Sequence, residues 1–327
     1  MLDSPALTLV SPPSLPTPQT GVRAIDLFAG WGGMTLGAKQ AGVNVLWSGN
    51  HWPLAVETHA LNHPETLHEC QDLRQADWTA LPEYDVLLAA PACQGHSPAS
   101  QARRRAYHDA LRATAFSVID CADATEPKAI VIENVPAFVR WRLYPEYRAM
   151  FEKLGYVLEE RFVTASRHGV AQRRRRFFLL ATRPGVKVRP LTENPVEPAF
   201  GPLLMPAPEE AWTPVHTAPS SVQMRIERSR ARHGDRFLTQ HTTDHHGVPL
   251  HEPIRTITTG AAHWNLVDGD RYRQLSGREL ARGMGFPDSF GWPETATIAQ
   301  VTRGLGNAVC PPVAKAVVGV TAEAIAA

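Results

Sequence analysis

Apolar positions in this chain gather into short dense runs separated by helical stripes, and that rhythm gives the first expectation. Arg23-Ala-Ile-Asp-Leu-Phe28 reads as a buried strand, and Ala29-Gly-Trp-Gly-Gly33 as the tight turn after it. A helical run over residues 34–41 follows, then a strand at Val43-Asn-Val-Leu-Trp47 and a helix over 53–61. Tyr84-Asp-Val-Leu-Leu-Ala-Ala90, stopped by Pro91, is a third strand. A helix over about 110–124 leads to a fourth, Ala129-Ile-Val-Ile-Glu133. Strands apolar on both faces that alternate with helices predict an α/β fold, its parallel sheet covered on each side. In such sheets ligands collect beyond the carboxyl ends of the strands, here the loops that carry Gly30, Cys93 and Asn134.

The rhythm breaks after Arg183. Over residues 184–270 prolines, histidines and polar residues dominate and the alternation stops, which predicts a smaller, loop-rich second region. Regular structure resumes at Ser276-Gly-Arg-Glu-Leu-Ala-Arg-Gly-Met284, a helix with Ser276 as its N-cap. A last helix runs over 312–326 with prolines at its start.

Composition narrows the class. At 327 residues the chain has room for one large domain and a smaller one, and 43% hydrophobic with 20% charged residues fits a globular protein. A net charge of +1 argues against a wholly basic nucleic-acid binder but leaves local basic surfaces open. Cys70, Cys93, Cys121 and Cys310 lie far apart with no CxxC pair, so the chain reads as cytoplasmic rather than disulfide-framed. Residues 1–20, rich in Pro, Ser and Thr, read as a disordered tail, and no charge-free apolar run approaches membrane-spanning length.

Candidate chemistry sits where the strands end. Asp26-Leu-Phe-Ala-Gly-Trp-Gly-Gly33 lets backbone approach a ligand closely, and it lacks the GxGxxG spacing of a dinucleotide site. Pro91-Ala-Cys-Gln-Gly-His-Ser97 places Cys93 in a loop of small residues, either as a nucleophile or as an inert buried thiol. Glu133 ends a strand and can transfer a proton or hydrogen-bond a heterocycle; alternatively it is a capping or salt-bridged carboxylate. Gln172-Arg-Arg-Arg-Arg-Phe-Phe-Leu-Leu180 sets four arginines before an apolar strand, and alternation turns Arg174 and Arg176 to one face, Arg173 and Arg175 to the other. Arg225, Arg228, Arg230 and Arg232 lie on a run that is either a phosphate-binding or a solvated helix. His241, His245, His246 and His251 have irregular spacing and no nearby cysteine, so no metal site is read there.

In this order the residues resemble the DNA (cytosine-5) methyltransferase family, from about residue 22 onward. Asp26 to Gly33 looks like the family's cofactor turn, Pro91 to Ser97 its nucleophile loop, Glu133-Asn-Val135 its ENV element, and Gln172, Arg174 and Arg176 its QxRxR element. Arg278 to Pro287 is similar to the RExxRxxGFP segment and Gly306-Asn-Ala-Val-Cys-Pro311 to GNxVxP, while Arg255-Thr-Ile-Thr-Thr259 resembles a short Thr-Ile element.

The resemblance implies a Rossmann-like methyltransferase fold, mostly parallel, with a smaller irregular target-recognition domain. By residue range it implies a catalytic domain over 21–183, the recognition domain over 184–270, and a hinge and returning helix over 271–327. It implies S-adenosyl-L-methionine as cofactor, held by Asp26, Phe28, Gly30, Gly32, Asn50, His51, Asp72, Leu73, Pro91, Asn307 and Val309. Cys93, Glu133, Arg174 and Arg176 become the catalytic set. Gln94, Ser97, Arg175, Thr256 and Ile257 become contacts to double-stranded DNA, with the chain a monomer and a restriction endonuclease of the same site as companion.

Three departures stand out: Ala92 for a proline, His96 for a common phenylalanine, and Asn50 where an acidic residue normally meets the cofactor ribose. An RNA methyltransferase on the same scaffold is disfavoured by the absence of cysteine between Cys121 and Cys310. Retention of Cys93, Glu133, Arg174 and Arg176 argues against a silent DNA-binding relative, and the missing GxGxxG argues against an oxidoreductase.

Overall fold

The computed structural model describes residues 20–92, 114–240, 245–260 and 264–327. Its larger sheet has seven strands in the order β3-β2-β1-β4-β5-β8-β6. These are β1 (Arg23–Leu27), β2 (Asn44–Asn50), β3 (Leu67–Cys70), β4 (Val86–Ala89), β5 (Ala129–Asn134), β6 (Val157–Thr164) and β8 (Arg175–Thr182). The strands from β3 across to β5 run parallel, and β8 runs antiparallel to both neighbours. The chain winds outward from β1 to β3 and then returns to place β4 on the other side of β1. That reversal opens a crevice above the carboxyl ends of β1 and β4. Leu27 pairs with both Gly49 and Ala89, and Ala89 with Ile132, so four strand ends finish level around the crevice.

Each face of the sheet is sealed by helices. On one side lie α1 (Gly33–Gln40) and the chain-closing α8 (Pro311–Ala326), whose Val313, Ala314, Val317 and Val318 join Val45, Val86 and Val131 in one core. A Cβ on Gly37 would fall 2.4 Å from the Ala314 side chain and 2.5 Å from Pro311 O, so α1 and α8 touch backbone to backbone. On the other side α3 (Phe116–Thr125) and α4 (Tyr144–Lys153) bury Val118, Ile119, Tyr147 and Phe151 against Ile25, Leu87 and Ile132. α2 (Pro53–Asn62) connects β2 to β3.

The irregular character expected after residue 183 needs correction. A second sheet, ordered β11-β10-β13-β14-β9, is assembled from β9 (Thr213–Pro214), β10 (Arg236–Gln240), β11 (Val248–Pro249), β13 (Trp264–Asp268) and β14 (Arg271–Gln274). The pairings within it are antiparallel, and α5 (Ser220–His233) packs on it through Val222 and Ile226. A parallel pair, β7 (Gln172–Arg173) with β12 (Ile254–Arg255), joins the two regions. Ser276 caps α6 (Gly277–Gly283) as the sequence predicts, and Glu279 completes a capping box with it. α7 (Ile298–Asn307) precedes α8, and the stretch Ile298–Ala326 is long and apolar enough to cross a membrane by length and composition, though Arg303, Lys315 and Glu323 interrupt it, so it is not a charge-free run. Of its most apolar window 61% is buried, as in a core helix.

Candidate active site

The turn after β1 is built from unusual backbone. Phe28 (φ 59°), Gly30 (φ 56°) and Gly32 (φ 78°) all occupy left-handed conformations, which is strained at Phe28 because it carries a Cβ. The turn is equally constrained in space, since a Cβ on Gly33 would lie 2.0 Å from Val309 O. This packing sets residues 28–31 against the segment 303–309, and between them opens a cleft. Its walls are Phe28 to Trp31 from the first turn, Asn50 to Trp52 after β2, Ala90 to Ala92 after β4, Glu133 of β5, and Arg303, Gly304, Asn307, Ala308 and Val309.

Of the residues expected to hold a cofactor, Phe28, Gly30, Asn50, His51, Pro91, Asn307 and Val309 therefore meet in one place. Asp26 lies one layer below, fully buried, with its Oδ2 accepting from Thr35 Oγ1 at 2.8 Å and its Oδ1 without a partner. Burial pushes its carboxyl up to about 7, although the Thr35 hydrogen bonds oppose the rise. Gly32 lies outside the cleft lining and rests on the rings of His59 and His63. Asp72 caps a short 3-10 turn and is held down at about 2, chiefly by hydrogen bonding to Arg74; Leu73 is core, packed near Trp47. Asn50 accepts the Trp52 N–H through its side-chain oxygen at 2.9 Å, so it shapes the turn as well as facing the cleft.

Glu133 is buried at the end of β5. Arg176 Nε lies 3.0 Å from its Oε1, near enough for an ion pair but off the hydrogen-bond line, so that oxygen keeps accepting capacity. Burial raises the Glu133 carboxyl, and the charges of Arg176 and Arg174 pull it back. Asn134 donates to Pro91 O at 3.1 Å and so ties β5 to the loop that runs on to Cys93. Cys93, Gln94 and Ser97 lie outside the described residues, as do His96 and His241.

The alternation expected through the arginine run holds. Arg174 is 2% exposed, and Arg176 faces Glu133. Arg173 and Arg175 are exposed: the first pairs with Glu197 and Glu252, and the second stacks on Phe162 at 4.9 Å. Arg174 does not line the cleft. It donates to Ile257 O (3.1 Å), Gly306 O (2.9 Å) and Ala308 O (2.9 Å), and so acts as a strut behind the wall. Gln172 makes the same kind of joint, donating to Gly283 O at 3.0 Å and accepting from Ile257 N at 2.7 Å.

The expected DNA contacts separate. Thr256 is half-buried, whereas the Ile257 side chain is fully buried and has no surface to offer. On α5, Arg228 and Arg232 are exposed, but Arg225 is buried and Arg230 pairs with Glu227. His245 Nδ1 accepts backbone N–H groups of Gln240 and Gly247, which gives that histidine a local structural use.

Several lining groups escaped the sequence reading: Trp31, Trp52, Arg303 and Gly304. Trp31 stacks on Trp292 with centroids 5.8 Å apart, Arg303 lies 4.9 Å over Trp52, and Gly304 is small because Trp31 fills the space a side chain would take. The two tryptophans stood inside or beside motifs already recognised, and only their neighbours revealed the role.

Comparison with known proteins agrees with this geometry. The model of the family described as C-5 cytosine-specific DNA methylase matches residues 22–201 and 207–322. The type II methyltransferase M.NlaX of Neisseria lactamica is 30% identical over 90% of this chain and 94% of its own length. M.HhaI of Haemophilus parahaemolyticus is 26% identical over 89% of the chain and 91% of its length. Among solved structures, a putative DNA modification methyltransferase encoded within an Escherichia coli prophage has a TM-score of 0.71 at 20% identity, covering 93% of this chain and 99% of that one. The S. pombe Dnmt2 methyltransferase gives the same values and, at that identity, the same fold. With its β1 turn, its Glu133–Arg176 pair and the Gln172–Arg174 joint in one frame, the chain belongs to the C-5 cytosine-specific DNA methylase family.

Proposed function

We propose that this protein methylates carbon 5 of a cytosine flipped out of double-stranded DNA, through a covalent adduct on Cys93. The observation that carries the proposal is Glu133. A buried carboxyl, paired with Arg176, stands at a strand end on the wall of the cleft that the β1 turn floors.

S-Adenosylmethionine fits that cleft. Trp52 and Phe28 offer flat apolar walls to a purine, Asn50 and Asn307 offer hydrogen bonds, and the unpartnered Asp26 Oδ1 puts negative charge below a cationic ligand. When bound, it supplies an electrophilic methyl group.

The remaining chemistry belongs to the chain. Cytosine carbon 5 is a weak nucleophile until a thiolate adds to carbon 6, so Cys93 forms the bond that makes carbon 5 enamine-like. Glu133, its carboxyl raised by burial, hydrogen-bonds ring N3 and the amino group and stabilises charge growing on the ring. Arg176 holds Glu133 in place and reaches toward the base carbonyl. Once carbon 5 is methylated it releases its proton to water, and the Cys93–carbon 6 bond breaks to restore the aromatic ring. The base has to leave the helix for this, at a cost of roughly a few kcal/mol. Arg175, Thr256, Gln94 and Ser97 are the proposed DNA contacts.

The relatives' names as type II methyltransferases support work beside a restriction endonuclease of the same site, and a cytoplasmic monomer is part of the same proposal. The test is incubation with unmethylated duplex DNA and tritiated S-adenosylmethionine, followed by base analysis. Label in 5-methylcytosine is expected, with Cys93→Ser losing turnover by orders of magnitude while still binding cofactor. Near wild-type turnover by that variant would sink the covalent mechanism.

A further inference from the structure

Beneath the turn that floors the cleft lies a column of polar groups that the reaction above leaves unused. Asp26, at 0% exposure, accepts from Thr35 Oγ1 of α1 at 2.8 Å. Thr35 Oγ1 is 3.0 Å from His59 Nε2 of α2, and His59 Nδ1 is 2.8 Å from His68 Nε2 of β3. His68 is half-buried and reaches solvent.

Counting hydrogens sets the direction. Thr35 has one hydroxyl hydrogen and gives it to Asp26, so its oxygen accepts from His59 Nε2–H. His59 Nδ1 is then an acceptor, and His68 Nε2–H its donor. Every donor points inward, toward Asp26. The cofactor turn rests directly on this column, because a Cβ on Gly32 would stand 2.7 Å from His63 Nε2 and 2.9 Å from His59 Cδ2.

We propose that His59 is a positioning residue for the cofactor, acting through Thr35 and Asp26, and that the column from His68 to Asp26 is a proton relay that sets the charge under the cleft. The proposal rests on reading the cleft as the S-adenosylmethionine site. A proton reaching His68 Nδ1 lets His68 Nε2–H pass to His59 Nδ1, His59 Nε2–H pass to Thr35, and the Thr35 hydrogen pass to Asp26 Oδ2. His68, His59 and Thr35 end neutral and Asp26 ends protonated, so one positive charge has cancelled the carboxylate.

The groups facing the column are Lys39 from α1, His63 at the C-cap of α2, Glu65 from the following turn and His68 from β3. Burial, then the neighbouring His63, His68 and Lys39, hold His59 well below its usual value, so it stays neutral and passes protons without storing them. Asp26, raised to about 7, changes charge near neutrality. Above that pH its carboxylate attracts a cationic ligand, and below it the attraction fades.

Calorimetric titration of the full chain with S-adenosylmethionine and with S-adenosylhomocysteine, between pH 6 and 8.5, is the test. For the sulfonium compound we expect affinity to rise about tenfold with a midpoint near pH 7. The uncharged thioether should respond less. Thr35→Val, which keeps shape but removes the link, should move the midpoint upward and weaken binding at pH 7.5 several-fold, and Thr35→Ser should restore both. Nitrogen-15 imidazole spectra of the wild-type protein without cofactor should show His59 as the neutral Nε2–H form at pH 8.5, with Asp26 ionised, and as the neutral Nδ1–H form at pH 6, after the relay has delivered its proton. An unmoved midpoint in Thr35→Val, a cationic His59, or a His59 tautomer that does not change between pH 8.5 and pH 6, overturns the relay. If Thr35→Val does not fold, the imidazole spectra decide. Absence of binding by the wild type at every pH, with the His59 form as expected, instead overturns the cofactor reading and with it the positioning role.

Discussion

The seven-stranded sheet and the five-stranded sheet hold their order by different means. In the first, β4 and β5 are buried along their whole described length and two apolar layers close over them. In the second, the local core is six residues, Val215, Ala218, Val222, Ile226, Phe237 and Val267; its other apolar side chains, Leu238, Val248, Trp264 and Leu266, lean on the large core, and guanidinium groups fasten its edges. Arg273 and Glu279 form a pair at 2.6 Å with side chains 4% and 0% exposed. The Glu279 carboxylate also accepts from Met205 N and Ser276 N, while Arg273 donates to Met205 O. Arg173 spans from β7 to Glu197 and Glu252, and Arg174 reaches Ile257. Burial is non-directional and tolerates exchange among apolar side chains, whereas a buried ion pair demands both partners. A frame of the first kind can hold reacting groups fixed while loops on a frame of the second kind vary.

The largest expected effect on ligand binding breaks the apolar side of this contrast, and the effects on stability follow it in descending order. In Gly304→Ala the new Cβ would lie 2.0 Å from Trp31 Cε2, and Trp31 is already stacked on Trp292. We expect affinity for S-adenosylmethionine to fall by about a hundredfold or more, roughly 2.7 kcal/mol, read by calorimetry. Unchanged affinity would mean the cleft wall yields as freely as a surface loop. Next, Arg273→Met strands a buried carboxylate, and urea unfolding should register a loss of about 3–5 kcal/mol. A loss below ~1 kcal/mol would remove the distinction between the two regions.

Acid sharpens it further. Burial lowers His59 and His63, the latter to about 3, so the folded state resists protons that the unfolded chain accepts. Their stabilising contribution is present above pH 6.5 and is lost as pH falls, by at most about 1.4 kcal/mol per unit for each ring. Thermal melts between pH 7 and 4 should show this, and His63→Asn should flatten the slope. The smallest effect is expected on the surface. Arg189 and Glu323 are paired with side chains 55% and 54% exposed, and Glu323→Gln should leave the urea midpoint where it is.

How far the chain could be read in advance follows the same division. β1, β4 and β5 and the turn at residues 28–33 were legible because continuous apolar runs and glycines announce themselves locally. So was the Ser276 cap. β3, with Leu67 and Glu69 exposed, and β6, with Val157 and Phe162 exposed, are edge strands whose mixed patterns do not declare a core face. The second sheet stayed hidden because β9 and β11 are two residues long, too short for any alternation to show. Arg174 looked like a group for the base; three carbonyl acceptors far off in sequence make it a strut, and no local pattern encodes that. The column from His68 to Asp26 was invisible for the same reason, since its links join α1, α2 and β3.

The contact between α1 and α8 bears on how the protein is made. A ribosome releases β1 and α1 early, yet the segment 303–309 that completes the cleft and the helix that covers α1 emerge more than 250 residues later. Contacts of such sequence separation form late. A nascent chain therefore carries the floor of the cleft without its far wall, and it gains a closed cofactor site only when synthesis has passed α8. Translation that stops short of α7 leaves a fragment with the signature turns and no enclosed pocket.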